Sequence, residues 1–217
     1  MKKLLIGTNN PSKLRVFREY LEGIDVCCVS PAELGLVDIP DEGARDAVSN
    51  AVEKAKAWHR MSGLPVVTED SGLVFLDLPA DHPDQPGVLV RRAAGHTMND
   101  EEMLEWYRSI VHKHGGSLRA AWEDAWCVLQ DEDCYSIYAS TPEILDCFAI
   151  LLIDKPCATR LPGWPLDSLT YYPALKKYKA EMTIDEMDAV KDDRGEAARI
   201  HRQNLLDWYR NAVNMLK

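Results

Sequence analysis

Three polar clusters in the first third of the chain carry residues suited to phosphate and metal chemistry. The first, Thr8-Asn9-Asn10-Pro11-Ser12-Lys13, follows the apolar run Leu4-Leu5-Ile6-Gly7 and precedes Leu14, Phe17 and Leu21 at helical spacing. A helix that opens there offers free N–H groups and the positive end of its dipole to an anion, and Lys13 adds a cation in the first turn. The glycine pattern of a Walker A loop is missing, so the segment equally suits a capped helix with an exposed lysine. The second cluster is Glu42, Asn50 and Lys54. Asn50 and Lys54 stand four apart and share a helix face with the small residues Ala47 and Ala51, as a solvated polar edge would too. The third, Glu69-Asp70-Ser71-Gly72, directly follows an apolar strand. Paired carboxylates there suit a hard cation such as Mg²⁺, which takes oxygen ligands and substrate phosphates; the same four residues are also good turn chemistry.

The elements that must position these residues read as follows. A strand covers residues 4–7, and Pro11 opens a helix where its missing N–H costs nothing. A strand over 26–29, a loop over 31–43 and a helix over 47–58 come next. A strand at 66–67 runs into the acidic cluster, expected as a loop, and a further strand covers 73–78. The Pro- and Asp-rich stretch 79–87 reads as an exposed loop. A helix spans 99–114, strands span 120–130, 135–139 and 147–153, and 156–173 is irregular and aromatic. The rest, from Ile184, is mostly helical, with an amphipathic end through Ile200, Leu205, Leu206, Tyr209 and Val213. Strands alternating with helices, then a run of strands, predict a mixed α/β or α+β fold.

Composition narrows the partners. The chain has 217 residues, 46% hydrophobic and 28% charged, enough for a packed core in one domain over 1–217. A formal net charge of −10 with no Lys/Arg block argues against nucleic acid and anionic membrane surfaces. It leaves room for a polyphosphate focused by a few cations and a metal. The six cysteines form no C-x-x-C pair, no apolar run reaches membrane-spanning length, and the N-terminal apolar stretch is too short for a signal sequence. These features predict a reduced cytoplasmic protein. His59, His82, His96, His112, His114 and His201 show no metal-ligand spacing, and His112 and His114, two apart on a helix, face different ways.

Taken in order, T-x-N-x-x-K, an acidic loop residue, N-A-x-x-K-A, E-D-S-G-L and P-G-V-x-x-x-R resemble the inosine triphosphate pyrophosphatase family. The matches are Thr8, Asn10 and Lys13; Glu42; Asn50-Ala51 with Lys54-Ala55; Asp70-Ser71-Gly72-Leu73; and Pro86-Gly87-Val88 with Arg92. Beyond residue 100 the match loosens. Gly163-Trp164-Pro165-Leu166-Asp167 resembles the family's base-holding loop, and Ala180-Glu181-Met182 its A-E-L segment. Asp192-Asp193-Arg194-Gly195 stands where the family has Ser-His-Arg-Gly, and Met187 or Asp188 replaces a lysine.

The resemblance implies a fold of two lobes around a central cleft, with an elongated, twisted mixed sheet flanked by helices, and a homodimer. It implies Mg²⁺-dependent cleavage of a nucleoside triphosphate between its α- and β-phosphates, with Glu42, Glu69 and Asp70 around the metal. On this resemblance Asp70 would serve as general base, Lys54 and Glu42 would assist, and Thr8, Asn10, Lys13, Asn50, Ser71, Gly72 and Arg92 would bind substrate. By the same resemblance Trp164 would stack on the base, while Asp167, Asp193 and Arg194 would read its edge. An aspartate at 193 in place of histidine reverses the hydrogen-bond demand there. It predicts a base preference shifted away from 6-oxo purines, toward a base offering an amino donor. Two alternatives stay open: a nucleotide N-glycosidase of the same superfamily, and a nucleotide-binding regulatory protein that has lost catalysis.

Overall fold

The computed structural model describes residues 2–36, 43 and 46–216. In chain order the elements are β1 (Lys2–Ile6), α1 (Pro11–Tyr20), β2 (Val26–Val29), α2 (Ala47–Ser62), β3 (Val66–Phe75), α3 (Asp100–Lys113), β4 (Ser117–Asp131), β5 (Cys134–Ala139), α4 (Pro142–Leu145), β6 (Ile150–Ile153), β7 (Thr170–Tyr172), β8 (Lys177–Tyr178), α5 (Ile184–Asp192) and α6 (Gly195–Asn214). The fold is mixed α/β. The strands form a mixed sheet in the order β2-β1-β3-β4-β6-β7-β8, with β5 pairing β4.

The chain divides into two compact units, and β3 and β4 each pass from one to the other. The first unit comprises residues 1–71, 124–140 and 200–217. Here β1 pairs in parallel with β2 and β3, Leu4 opposite Cys28 and Leu5 opposite Val66. Its core joins Leu4 and Ile6 of β1 to Phe17 of α1, Val67 of β3, Val128 of β4 and Tyr209 of α6. The second unit comprises residues 72–123 and 141–199. There β4, β6, β7 and β8 run antiparallel, and α3 buries Met103, Leu104, Tyr107 and Ile110 in a second core with Phe75 and Leu152.

Local sequence explains the helices that matter most for the site. Asp46 caps α2 by accepting the Ser49 N–H at 2.7 Å, and Gly63 ends the helix in the left-handed conformation at φ 67°. The buried stripe of α2 is Ala47, Asn50, Ala51, Ala55 and Trp58. Its small members bring the helix backbone close enough for the Thr68 hydroxyl to donate to the Ala51 carbonyl at 2.7 Å. Asn99 and Glu102 form a reciprocal capping box on α3.

Four expectations change. Glu69-Asp70-Ser71-Gly72 is not a loop: β3 runs unbroken through it and ends at Phe75, short of Leu78. Turn-forming residue types yield here to pairing within the sheet. Residues 142–148, in part expected as strand, instead form α4 and a short 3₁₀ turn started by Pro142, and β6 begins only at Ile150. The irregular aromatic stretch holds a 3₁₀ turn over Pro165–Ser168 and the strand β7. In the amphipathic α6, Ile200 is exposed while Leu205, Tyr209 and Val213 are buried.

Gly7 ends β1 where nothing larger fits. A β-carbon there would lie 2.6 Å from Trp58 Cδ1 and 2.7 Å from Thr68 Cγ2. Gly7→Ala is expected to destabilise the protein by about 1–3 kcal/mol through overpacking, read as a lower urea midpoint.

Candidate active site

Side chains alternate across a strand, so β3 deals its polar residues to two faces. Thr68 and Asp70 point toward α2; Glu69 and Ser71 point the other way. On the α2 face the Asp70 carboxylate is gripped at both oxygens. The Asn50 amide donates to Oδ2 at 2.9 Å and Lys54 Nζ to Oδ1 at 3.0 Å, and the same Nζ reaches the Glu69 carbonyl at 3.2 Å. Asp70 and Asn50 are buried, and the Lys54 side chain is 13% exposed, so this ion pair is largely shielded from water. Each carboxylate oxygen has two lone pairs. One on each remains beyond these two donors, so Asp70 is fixed in orientation and still able to accept.

The opposite face gathers Lys13, Glu69, Ser71 and Asp124. Lys13 Nζ lies 3.5 Å from both Glu69 Oε1 and the Ser71 hydroxyl, and that hydroxyl lies 3.2 Å from Glu69 Oε1. Asp124, from β4, shares a hydrogen bond with Ser71. It keeps part of its surface, yet its carboxyl is closely surrounded. Desolvation, then the charge of Glu69, pushes its pKa well above the ordinary carboxylate range; Asp70 adds to the rise, while Ser71 and Lys13 oppose it. Behind Lys13, the first turn of α1 is ordered by the Asn10 N–H donating to Thr8 Oγ1 at 3.2 Å and by Asn10 Oδ1 accepting the Lys13 N–H at 3.4 Å.

Asp124 escaped the sequence reading. The signal available was a carboxylate pair, Glu123-Asp124, breaking the otherwise apolar run from Ala120 to Leu129. Glu42 lies outside the described residues.

The second unit holds the other expected residues. Gly72 is pressed against the turn at Gly87: a β-carbon would lie 3.1 Å from the Gly87 carbonyl group, and the Leu73 N–H donates to Gly87 O at 2.9 Å. Arg92 is half-buried in the turn that follows, its N–H donating to Leu89 O at 2.6 Å. Trp164 is 44% exposed, unusual for so large an apolar ring, and Lys179 Nζ stands 5.9 Å from its ring centre. The same ammonium pairs with Asp167 at 3.0 Å. The loop bearing Trp164 is pinned by Asp100, which accepts the Gly163 N–H at 2.7 Å, and by Arg91, which donates to the Gly163 carbonyl at 3.2 Å. Lys179, one residue before Ala180-Glu181-Met182, also escaped the sequence reading. Arg194 donates to the Cys147 carbonyl at 3.3 Å and stacks its guanidinium over Phe148; Asp193 is an exposed residue closing α5.

The first unit thus gathers carboxylates and lysines around β3, next to the start of α1. The Ham1 family model matches residues 4–202, and the chain belongs to that family. A protein of Yersinia pseudotuberculosis named dITP/XTP pyrophosphatase is 30% identical over 98% of this chain and 100% of its own length. A protein of the same name from Salmonella paratyphi A is 29% identical over 97% and 100%. Among solved structures, a HAM1 protein from Coxiella burnetii superposes with a TM-score of 0.70 at 23% identity, covering 95% of this chain and 100% of its own. The Staphylococcus aureus Ham1 protein gives 0.67 at 20%, covering 97% and 99%.

Two stability outcomes follow from the two faces of β3. Asn50→Ala leaves a buried carboxylate short of a donor and should cost about 1.5–3 kcal/mol in urea denaturation. Asp124→Asn should act oppositely. A carboxyl whose folded pKa is raised destabilises the folded state above that pKa and not below its unfolded value. The variant is therefore expected to be more stable than the parent at neutral pH without added metal. The gain should fade as pH falls into the ordinary carboxylate range, followed by urea midpoints across pH.

Proposed function

We propose that this chain is a nucleoside triphosphate pyrophosphatase that removes non-canonical nucleotides, cutting between the α- and β-phosphates to release a nucleoside monophosphate and pyrophosphate. The observation that carries this reading is the oriented Asp70 carboxylate beside a crowded acidic face and two lysines. The full-length likeness to proteins named dITP/XTP pyrophosphatase supports it.

Asp70 orients the attacking water and takes its proton, using the lone pairs left by Asn50 and Lys54. Lys54, Lys13 and the start of α1, with Thr8 and Asn10, grip the polyphosphate. They position it and offset its charge. Among the described residues, Glu69, Asp70 and Asp124 outnumber Lys13 and Lys54. Burial, and next the charge of Glu69, raises the pKa of Asp124, and a hard cation beside these carboxylates would favour their ionised forms. The donor set therefore fits Mg²⁺. Glu69 and Asp124 would hold it, with Asp70 close by and Glu42 as a further candidate. When bound, the metal would draw charge from the phosphate oxygens.

The base end falls to Trp164 as the stacking ring, with Asp167, Asp193 and Arg194 at the base edge and Arg92 near the phosphates. A carboxylate at Asp193 where the family has a histidine favours a base with an amino donor, which is the basis for a shifted base preference. The enzyme works as a cytoplasmic homodimer on free nucleotides, without a nucleic-acid or membrane partner.

Incubation with a panel of canonical, deaminated and modified nucleoside mono- and triphosphates tests the reaction. Monophosphate plus pyrophosphate, formed only with Mg²⁺, is expected. Free base would assign the N-glycosidase, and tight binding without turnover would assign a regulatory protein. Selective hydrolysis of inosine triphosphate would contradict the shifted preference. Asp70→Asn should lower kcat by about 10²–10⁴-fold while nucleotide still binds. Asp124→Asn, though stabilising without metal, should raise the Mg²⁺ concentration needed for half-maximal rate.

A further inference from the structure

We propose that His82, Asp84 and His114 form a site for a borderline divalent cation of the zinc class. It is built from residues that play no part in the nucleotide chemistry above. The histidines are 32 positions apart and neither lies on a metal-binding sequence motif, so only the fold brings them together. One nitrogen from each ring and one oxygen of Asp84 all lie within 4.8 Å of one another.

The donor chemistry is the first argument. Two imidazoles and one carboxylate suit zinc, cobalt or nickel, whereas Mg²⁺ favours an all-oxygen set. Asp84 Oδ2 lies 2.7 Å from His114 Nε2 and 3.9 Å from His82 Nδ1. Tetrahedral zinc with bonds of about 2.0–2.1 Å sets neighbouring ligands about 3.3 Å apart. The 2.7 Å contact must open and the 3.9 Å contact close by roughly 0.6 Å each to approach that spacing, and the two imidazole nitrogens, within 4.8 Å of one another, must settle to the same separation. Three protein ligands leave the fourth position to water.

The state of the ligands is the second argument. His82 Nδ1 accepts the Asp84 backbone N–H at 3.1 Å. A backbone N–H can only donate, so that nitrogen is unprotonated, the form a metal needs, and a metal bound there takes over the lone pair that this hydrogen bond now uses. His114 Nε2 faces the carboxylate as a donor. Binding a cation there moves this proton to solvent or to Nδ1 of the same ring. All three side chains are only 17–26% exposed, and the two rings meet edge to face at 5.2 Å.

The third argument is pre-organisation. The loop carrying His82 and Asp84 is tied down by Gln85, whose amide accepts the Phe75 N–H at 2.8 Å and donates to the Phe75 carbonyl at 2.9 Å. His114 closes the C-terminal end of α3. Little ordering remains for a metal to impose. One cation already competes: Lys113 Nζ lies 2.6 Å from Asp84 Oδ2, on a side chain 61% exposed, and must withdraw into solvent for a metal to enter.

Zinc titration of the metal-stripped full chain in excess Mg²⁺, followed calorimetrically, tests the site. One equivalent is expected to bind, with affinity lowered at least about a hundredfold in His82→Ala and in His114→Ala, more than loss of an outer partner produces. Lys113→Ala should bind zinc more tightly than the parent, which a merely structural role for the trio does not predict. Co²⁺ on the unaltered protein should show the intense visible bands of a four-coordinate N/O site. Zinc binding unchanged in both histidine variants, no binding by the parent, or cobalt spectra with thiolate charge-transfer bands would overturn the assignment. Should the histidine variants lose their fold by circular dichroism, Lys113→Ala and the cobalt spectrum decide alone.

Discussion

The first unit is organised around a conflict of like charges that the sheet keeps apart but does not resolve. Asp70 and Glu69 are neighbours in sequence, and alternation sends them to opposite faces of β3. Asp70 meets two donors from one helix and is held firmly. Glu69 meets Asp124 from another strand, with Lys13 as the ammonium beside them, and burial, then the charge of Glu69, raises the pKa of Asp124. One face is thus satisfied by the protein itself, and the other keeps negative charge in excess. That asymmetry separates a carboxylate held by two donors from a pair of carboxylates crowded beside a single ammonium.

Helix α2 is the counterpart of this arrangement. Its inward stripe is made of small residues, broken by one buried amide, Asn50. Alanines let the helix backbone approach β3 closely, and Thr68 ties the two together through the Ala51 carbonyl. Asn50 and Lys54, one turn apart, then arrive at the two oxygens of a single carboxylate. Such precision comes from packed elements of secondary structure and needs no loop.

Much of this was legible in the sequence, for identifiable reasons. Asn50 and Lys54 share a face by helical period, and strand–helix alternation gave the fold class. The acidic cluster was visible, but its backbone was not. Residue types that favour turns were overruled by sheet pairing, and with the strand came the division of Glu69 from Asp70. Asp124 was hidden because its importance depends on which strand lies beside β3, a long-range fact that no local pattern carries. The same holds for Lys179, whose place over Trp164 and beside Asp167 depends on a turn formed fifteen residues earlier. It holds most clearly for His82 and His114, which spacing alone set aside as unrelated.

The uninterrupted course of β3 through Glu69-Asp70-Ser71-Gly72 constrains how this protein can change over time. Side chains there may be exchanged one at a time with graded effect. Adding or losing one residue would turn each later carboxylate or hydroxyl to the wrong side of the sheet and present the Asn50–Lys54 pair with a different partner. Point substitutions can therefore tune this region, while its length is fixed by the two-residue repeat of an extended chain.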